Sequence, residues 1–134
     1  EKEVETTIDR VIYFAGWADK INQVFGSVNP VATSHFNFSM LEPTGVVGVV
    51  SSESSSLLGL ISSICPIIVS GNTCVVFTSE SKPLCGVTLS EVLATSDVPG
   101  GVVNVLTGKR KETVPHLGKH MDVNAIYLAD SNSE

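Results

Sequence analysis

Four short apolar runs constrain this chain more than any other feature. Val46–Val50 is β-branched apart from Gly48, and residues 73–78, 102–106 and 124–128 repeat its character further along. Continuous apolar runs, unlike alternating ones, mark strands covered on both faces, as in parallel sheets. Segments with helical character separate them. Residues 57–69 are apolar and stop at Gly71-Asn72, Pro83 opens a helix running to Thr95, and residues 112–120 form a shorter one after the Pro99-Gly100-Gly101 turn. Parallel neighbours need crossovers of a dozen or more residues, and these helices supply them. The spacing predicts an α/β fold, a doubly wound parallel sheet forming a Rossmann-like half.

Ahead of the first strand, Val4, Ile8, Val11, Ile12, Ala15, Ala18 and Ile21 recur at three- and four-residue spacing. This predicts a helical stripe, extended by Phe14 and Trp17 and ended by Gly26. Residues 35–40 alternate like a half-exposed strand. A length of 134 residues suits one domain over 1–134.

Composition removes several function classes. With 43% hydrophobic residues the chain is not a disordered segment, and a net charge of −6 gives no electrostatic footprint for nucleic acid or anionic lipid. The apolar segment 57–69 is broken by Gly59 and Pro66 and falls short of the ~20 residues of a membrane helix. The N-terminus, Glu-Lys-Glu-Val-Glu, is acidic where a signal peptide is basic. Cys65, Cys74 and Cys85 are odd in number and lack CxxC spacing, so they read as reduced thiols without metal or disulfide duty. The expectation is a cytoplasmic protein without membrane or nucleic-acid partners.

Ligands in such sheets bind beyond the carboxyl ends of the strands. The relevant turns are 51–56, 79–82, 107–111 and 129–134. There is no GxGxxG and no Walker A lysine. The serines of 51–56 read first as caps for the following helix, with Glu53 placing a carboxylate at its N-terminus. His116 and His120 have i, i+4 spacing but no companion cysteines, and read as a surface pair rather than a metal site. Lys109-Arg110-Lys111 is a short basic cluster, solvated or facing an acidic group.

Several motifs in order resemble the coenzyme domain of aldehyde dehydrogenases. They are Ala15-Gly16-Trp17-Ala18-Asp19-Lys20, then Glu42-Pro43-Thr44-Gly45-Val46-Val47-Gly48, Ser70-Gly71-Asn72-Thr73-Cys74-Val75-Val76, Val98-Pro99-Gly100-Gly101-Val102-Val103-Asn104-Val105 and His120-Met121-Asp122-Val123. The resemblance spans nearly the whole chain. It implies an NAD or NADP site, an oligomerisation-type strand at 36–40, and a catalytic half carrying the general-base glutamate and nucleophilic cysteine beyond residue 134. None of Cys65, Cys74 or Cys85 takes that nucleophile's place.

Against that pattern the site residues depart. The family's proline-tryptophan-asparagine-phenylalanine-proline is replaced within residues 49–56. Ser54 stands where the asparagine donates to the substrate oxyanion, and a displaced donor loses much of its effect. Phe77 stands for the lysine that binds the adenosine ribose or 2′-phosphate. Glu80 keeps that lysine's acidic partner. Arg110 replaces a glycine that makes room for the cofactor. The phenylalanine-threonine-glycine-serine loop reads Leu128-Ala129-Asp130-Ser131, keeping only the serine.

The retained cofactor contacts are thus Glu80 and Ser131, with no catalytic residue and no metal ligand. The expectation is a non-catalytic aldehyde dehydrogenase-like domain from a larger protein, with a structural or interaction role and no bound cofactor. It would act as a homo-oligomer or beside a companion aldehyde dehydrogenase domain, as the resemblance to the superfamily's tandem-domain member with its degenerate second unit implies. The alternatives are the coenzyme-binding part of an active NAD(P)-dependent enzyme and a nucleotide-binding sensor.

Overall fold

The computed structural model describes residues 1–130, so the expected contact Ser131 lies outside the described residues. Helix α1 (Lys2–Ala15) is followed by the short α2 (Ile21–Phe25), and β1 (Ser27–Val28) pairs antiparallel with β2 (Phe38–Ser39). Then strands and helices alternate: β3 (Val46–Val50), α3 (Leu58–Val69), β4 (Thr73–Phe77), α4 (Leu84–Ala94), β5 (Val103–Leu106), α5 (Arg110–Leu117) and β6 (Ala125–Leu128). The last four strands form one sheet in the order β5-β4-β3-β6, and every pair in it is parallel. The α/β expectation holds, with each apolar run supplying one strand.

Side chains alternate across the sheet, so β3 feeds two cores. Val47 and Val49 join Cys74 and Val76 of β4 beneath Leu60 and Ile64 of α3, with Leu89 of α4 packed alongside. On the other face, Val50 and Phe77 meet Leu117 of α5, supported by Val75, Val114 and Val123. Helices therefore cover both faces, which is why β3 and β4 carry continuous apolar runs. Gly48 makes the second contact possible: a Cβ there would lie 2.7–2.8 Å from the Leu117 side chain. At the edges the cover thins, and Leu106, Ile126 and Leu128 are exposed.

Two N-terminal expectations are corrected. The helix over 4–25 breaks at 16–20, where the Gly16 and Trp17 amides close onto the Ile12 and Phe14 carbonyls and the Lys20 ammonium takes the Gly16 carbonyl. The stripe of Val4, Ile8, Val11 and Ile12 is exposed, whereas Thr7 is buried. Periodicity located a face but not its partner; α1 meets α3 through a different side, and Phe14 and Trp17 gather with Pro66 and Val69 at the end of α3. The strand expected over 35–40 shrinks to Phe38–Ser39. Asn29 bonds Asn37 and Ser39 through its side-chain amide, at 2.9 Å each, and the flanking Phe36 and Met40 face solvent with no core to extend the ladder against.

Cys65 and Cys74 are buried and Cys85 is half-buried; all three are free. Burial raises the Cys65 thiol and pushes the Cys74 thiol up to about 11. No helix among the described residues is long and apolar enough to cross a membrane.

Candidate functional site

From β3 the chain crosses to β4 on one side, and β6 returns to pair with β3 on the other. The point where the winding reverses, at the carboxyl ends of β3 and β6, is where a sheet of this kind opens a crevice. Residues 51–57 and 129–130 form its lips, and the N-terminus of α5 overlooks it.

Charged side chains line that crevice, with Glu53, Glu80 and Arg110 around an open cavity of about 440 Å³. The Arg110 guanidinium lies 3.0 Å from Glu53 through Nη2 and 3.6 Å from Asp130 through Nη1, and Nη2 also donates to the Ser51 carbonyl. The Glu53 amide donates to Asp130 at 2.8 Å, joining the two lips. The Glu53 carboxylate turns away from α3 toward the 79–81 turn. There it accepts from the Glu80 amide at 2.7 Å, the Ser81 amide at 3.1 Å, and the Ser79 and Ser81 hydroxyls at 2.7 Å each. Partial burial raises its proton affinity, but the donors from Glu80, Ser79 and Ser81 outweigh this and bring the pKa from 4.5 down to about 2. Asp130 is held below its ordinary value, first by the Glu53 amide and then by the Ser52 hydroxyl, with Arg110 adding to the effect.

This corrects the expectation that Glu53 sits at the start of α3. The carboxylate there belongs to Glu3 of α1, which accepts from the Leu57 amide at 3.3 Å, the Leu58 amide at 3.2 Å and the Ser55 hydroxyl at 3.2 Å. Those amide donors hold Glu3 below the usual carboxylate range, Leu58 most of all. Free helix N-terminal amides favour a negative charge, and α1 delivers one across the chain. Of the serines read as caps, Ser55 alone bonds a helical amide, that of Gly59 at 3.0 Å.

The other sequence candidates are dispersed. Ser54 is exposed and, among the described residues, bonds only Ser52, with its hydroxyl 2.7 Å from the Ser52 hydroxyl. Phe77 is 8% exposed and packs with Val50 and Leu117, extending the core. Glu80 directs its carboxylate to the Arg110 amide at 3.1 Å, at the start of α5. His116 and His120 are both exposed. Lys109 pairs loosely with Glu112 at 3.8 Å, and Arg110 alone of the basic cluster turns inward.

An aldehyde dehydrogenase family model matches residues 1–133. The chain belongs to that family. An aldehyde dehydrogenase of Aspergillus niger is 34% identical over 119 residues, 89% of this chain and 23% of that protein. Cytosolic aldehyde dehydrogenase 1 of Mus musculus is 31% identical over 129 residues, covering 96% and 25% respectively. Among solved structures, PnpE from Pseudomonas sp. WBC-3 superposes with a TM-score of 0.88 at 33% identity. The NAD+ complex of the Bacillus cereus aldehyde dehydrogenase gives 0.88 at 25% identity. Each superposition covers 94% of this chain and 25% of the other. The chain thus spans about a quarter of the length of the relatives it matches.

Glu53, Arg110 and Asp130 were each visible in the sequence, and what sequence reasoning missed is that they meet. Three positions that are uncharged in the family pattern carry Glu53, Arg110 and Asp130 here. Taken singly, each is a departure. Together they are charge-complementary, and that complementarity was the available signal for a network bridging loops that are far apart in sequence. Glu3 had no such signal, because its role depends on where α1 lies.

Proposed function

We propose that this aldehyde dehydrogenase-family chain is a non-catalytic structural and interaction module of the cytoplasm. It would be a single domain over 1–134 within a larger protein, with its coenzyme crevice tied across by its own side chains. One observation carries the reading: the Arg110 guanidinium is held by Glu53, Asp130 and the Ser51 carbonyl at the reversal point of the sheet. A dinucleotide does not fit the residues at these positions. Phe77 offers no donor to a ribose and its ring is committed to the core, Arg110 occupies space that the family pattern leaves to a glycine, and the Glu80 carboxylate is engaged by α5. Ser54 holds a hydroxyl against its neighbour where oxyanion chemistry requires a preorganised donor.

The interaction role rests on the β1–β2 hairpin. Phe36, Phe38 and Met40 are 75%, 58% and 61% exposed, and the two rings lie 5.6 Å apart, so one apolar surface is presented rather than scattered residues. Clustered exposed aromatics of this kind favour burial against a partner. The partner is a second copy or a companion aldehyde dehydrogenase domain.

Calorimetric titration with NAD+ and NADP+ tests this reading of the crevice, with the wild-type chain beside a Phe77→Lys, Arg110→Gly variant. The expected result is no heat of binding from the wild type and a gain in the variant. Micromolar binding by the wild type overturns the reading in favour of a nucleotide-binding or enzymatic role.

A further inference from the structure

Strand β5 is an edge of the four-stranded sheet, and no strand lies on its outer side among the described residues. The Cys74 amide bonds the Val102 carbonyl at 2.9 Å, and the Thr78 amide bonds the Leu106 carbonyl at 3.0 Å. Backbone groups alternate sides along a strand, so Val102, Asn104 and Leu106 address β4, while Val103 and Val105 turn amide and carbonyl outward. Edge strands are ordinarily blunted by charge or proline, and residues 102–106 carry neither. Beside this edge lies a groove of about 410 Å³, walled by Leu93 and Ala94 of α4 and by Val98 and Pro99 of the turn that follows. Val103 and Val105 point to the same face: Val103 packs on the first core, and a Val105 methyl lies 3.5 Å from where a Cβ would stand on Gly86 of α4. The Asn104 side-chain amide fixes the turn to the strand by donating to the Gly101 carbonyl at 2.8 Å. Nothing lies within 4 Å of where a Cβ would stand on Gly100 or Gly101, which leaves that end of the groove open.

We infer that the β5 edge and the α4 groove form a docking site for an extended peptide segment of a partner protein, apolar at alternate positions and basic where it passes Val98. Outward amides and carbonyls are matched by the backbone of an added strand, and the groove takes every second side chain of that strand. Charge selects the flanking residues. From Pro83 to Gly108 the only charged residues are Glu91 and Asp97, which adjoin the groove residues Ser90 and Val98 in sequence. A Lys or Arg at that end is favoured and an acidic residue is opposed. A second copy of the chain fits less well: its Val103 and Val105 are committed beneath its own α4, and it brings another Glu91 and Asp97 to the same boundary. This surface is separate from the β1–β2 hairpin and from the crevice, so the inference goes beyond the function proposed above and stands whether or not a dinucleotide binds.

The test is a titration of the 134-residue chain, labelled with 15N, with the peptide acetyl-Lys-Thr-Val-Thr-Val-Thr-Lys-amide, whose two lysines place one beside Val98 in either strand direction. Saturable amide shifts are expected at Val103 and Val105. Replacing the peptide's valines by serine should weaken binding at least about ten-fold, and replacing its lysines by glutamate should do the same. An antiparallel guest with its valines toward α4 turns the valine amides to β5, whereas a parallel one turns the threonine amides there. N-methylation of one set should therefore abolish binding and of the other set should spare it. Loss on both sets or on neither overturns strand addition, as does the absence of saturable shifts at Val103 and Val105. A glutamate peptide that binds as well as the lysine peptide overturns the basic assignment, and so does a lysine preference undiminished in Glu91→Gln, Asp97→Asn. Shifts at Val103 and Val105 that grow with protein concentration alone would give the edge to a second copy and overturn the peptide assignment. Failure of the NAD+ titration to behave as proposed leaves this inference untouched, because none of its readouts involves the crevice.

Discussion

Glu53→Gln removes one charge and little volume, and it turns an amide NH2 toward two backbone amides, two hydroxyls and a guanidinium that donate to the carboxylate. The cradle lowers the carboxylate from 4.5 to about 2. At about 1.4 kcal/mol per decade of proton affinity, a fully buried group would gain roughly 3 kcal/mol. The Glu53 side chain keeps 35% exposure, and solvent screening reduces this to roughly 1–2 kcal/mol at neutral pH. Because the folded-state pKa is depressed, the stabilisation is present above the unfolded value near 4.5 and is lost as pH falls toward 2. Urea denaturation followed through Trp17, the single tryptophan, measures it. Glu3 and Asp130 are also depressed, so both proteins weaken in acid, and the difference between them isolates Glu53. The variant should be less stable at neutral pH, and the gap should close as pH approaches 2. Equal stability at neutral pH, or a gap undiminished in acid, would refute the cradle as the cause.

Other consequences can be checked with the same protein. Gly48→Ala drives a methyl into Leu117 and should cost about 1–3 kcal/mol in urea denaturation, since α5 has to lift from the sheet. Leu117→Ala empties the centre of the second core and should cost about 2–3 kcal/mol, the lower part of the usual range because the pocket beside it is open. Glu3→Ala uncaps α3 from a distance and should lower stability by about 1 kcal/mol, with faster amide exchange at Leu57 and Leu58. Iodoacetamide on the native protein should label half-buried Cys85 first and Cys74 last, as mass spectrometry of digests will show; prompt labelling of Cys74 would contradict its burial and raised thiol.

The sheet was legible in the sequence because both of its faces are covered. Val46–Val50 and residues 73–78 announce themselves as buried strands without reference to anything distant. The hairpin was less legible because Phe36, Phe38 and Met40 alternate whether or not a partner continues the ladder, and here the pairing stops after two residues. The stripe on α1 gave a true helix but the wrong contact side, since periodicity carries no information about which surface is nearby. At the site, motif order located the crevice and flagged Phe77 and Arg110. The pairing of Arg110 with Glu53 and Asp130 depends on loops that only tertiary folding brings together, and no local pattern encodes it.

The position of β6 has a consequence for the order of assembly. Neighbours β3 and β4 are tied by contacts such as Gly45 to Asn72, 27 positions apart, whereas Asn124 reaches the Val46 amide across 78. Closing the longer loop costs more chain entropy before any bond repays it, so β3, β4 and β5 can associate while β6 is still free. Until β6 docks, one side of β3 presents unpaired backbone to any passing strand. The bond from Glu53 to Asp130, 77 positions long, can form only once β6 is in register, so it marks the completed sheet. A chain stopped short of residue 125 is therefore expected to be sticky along β3.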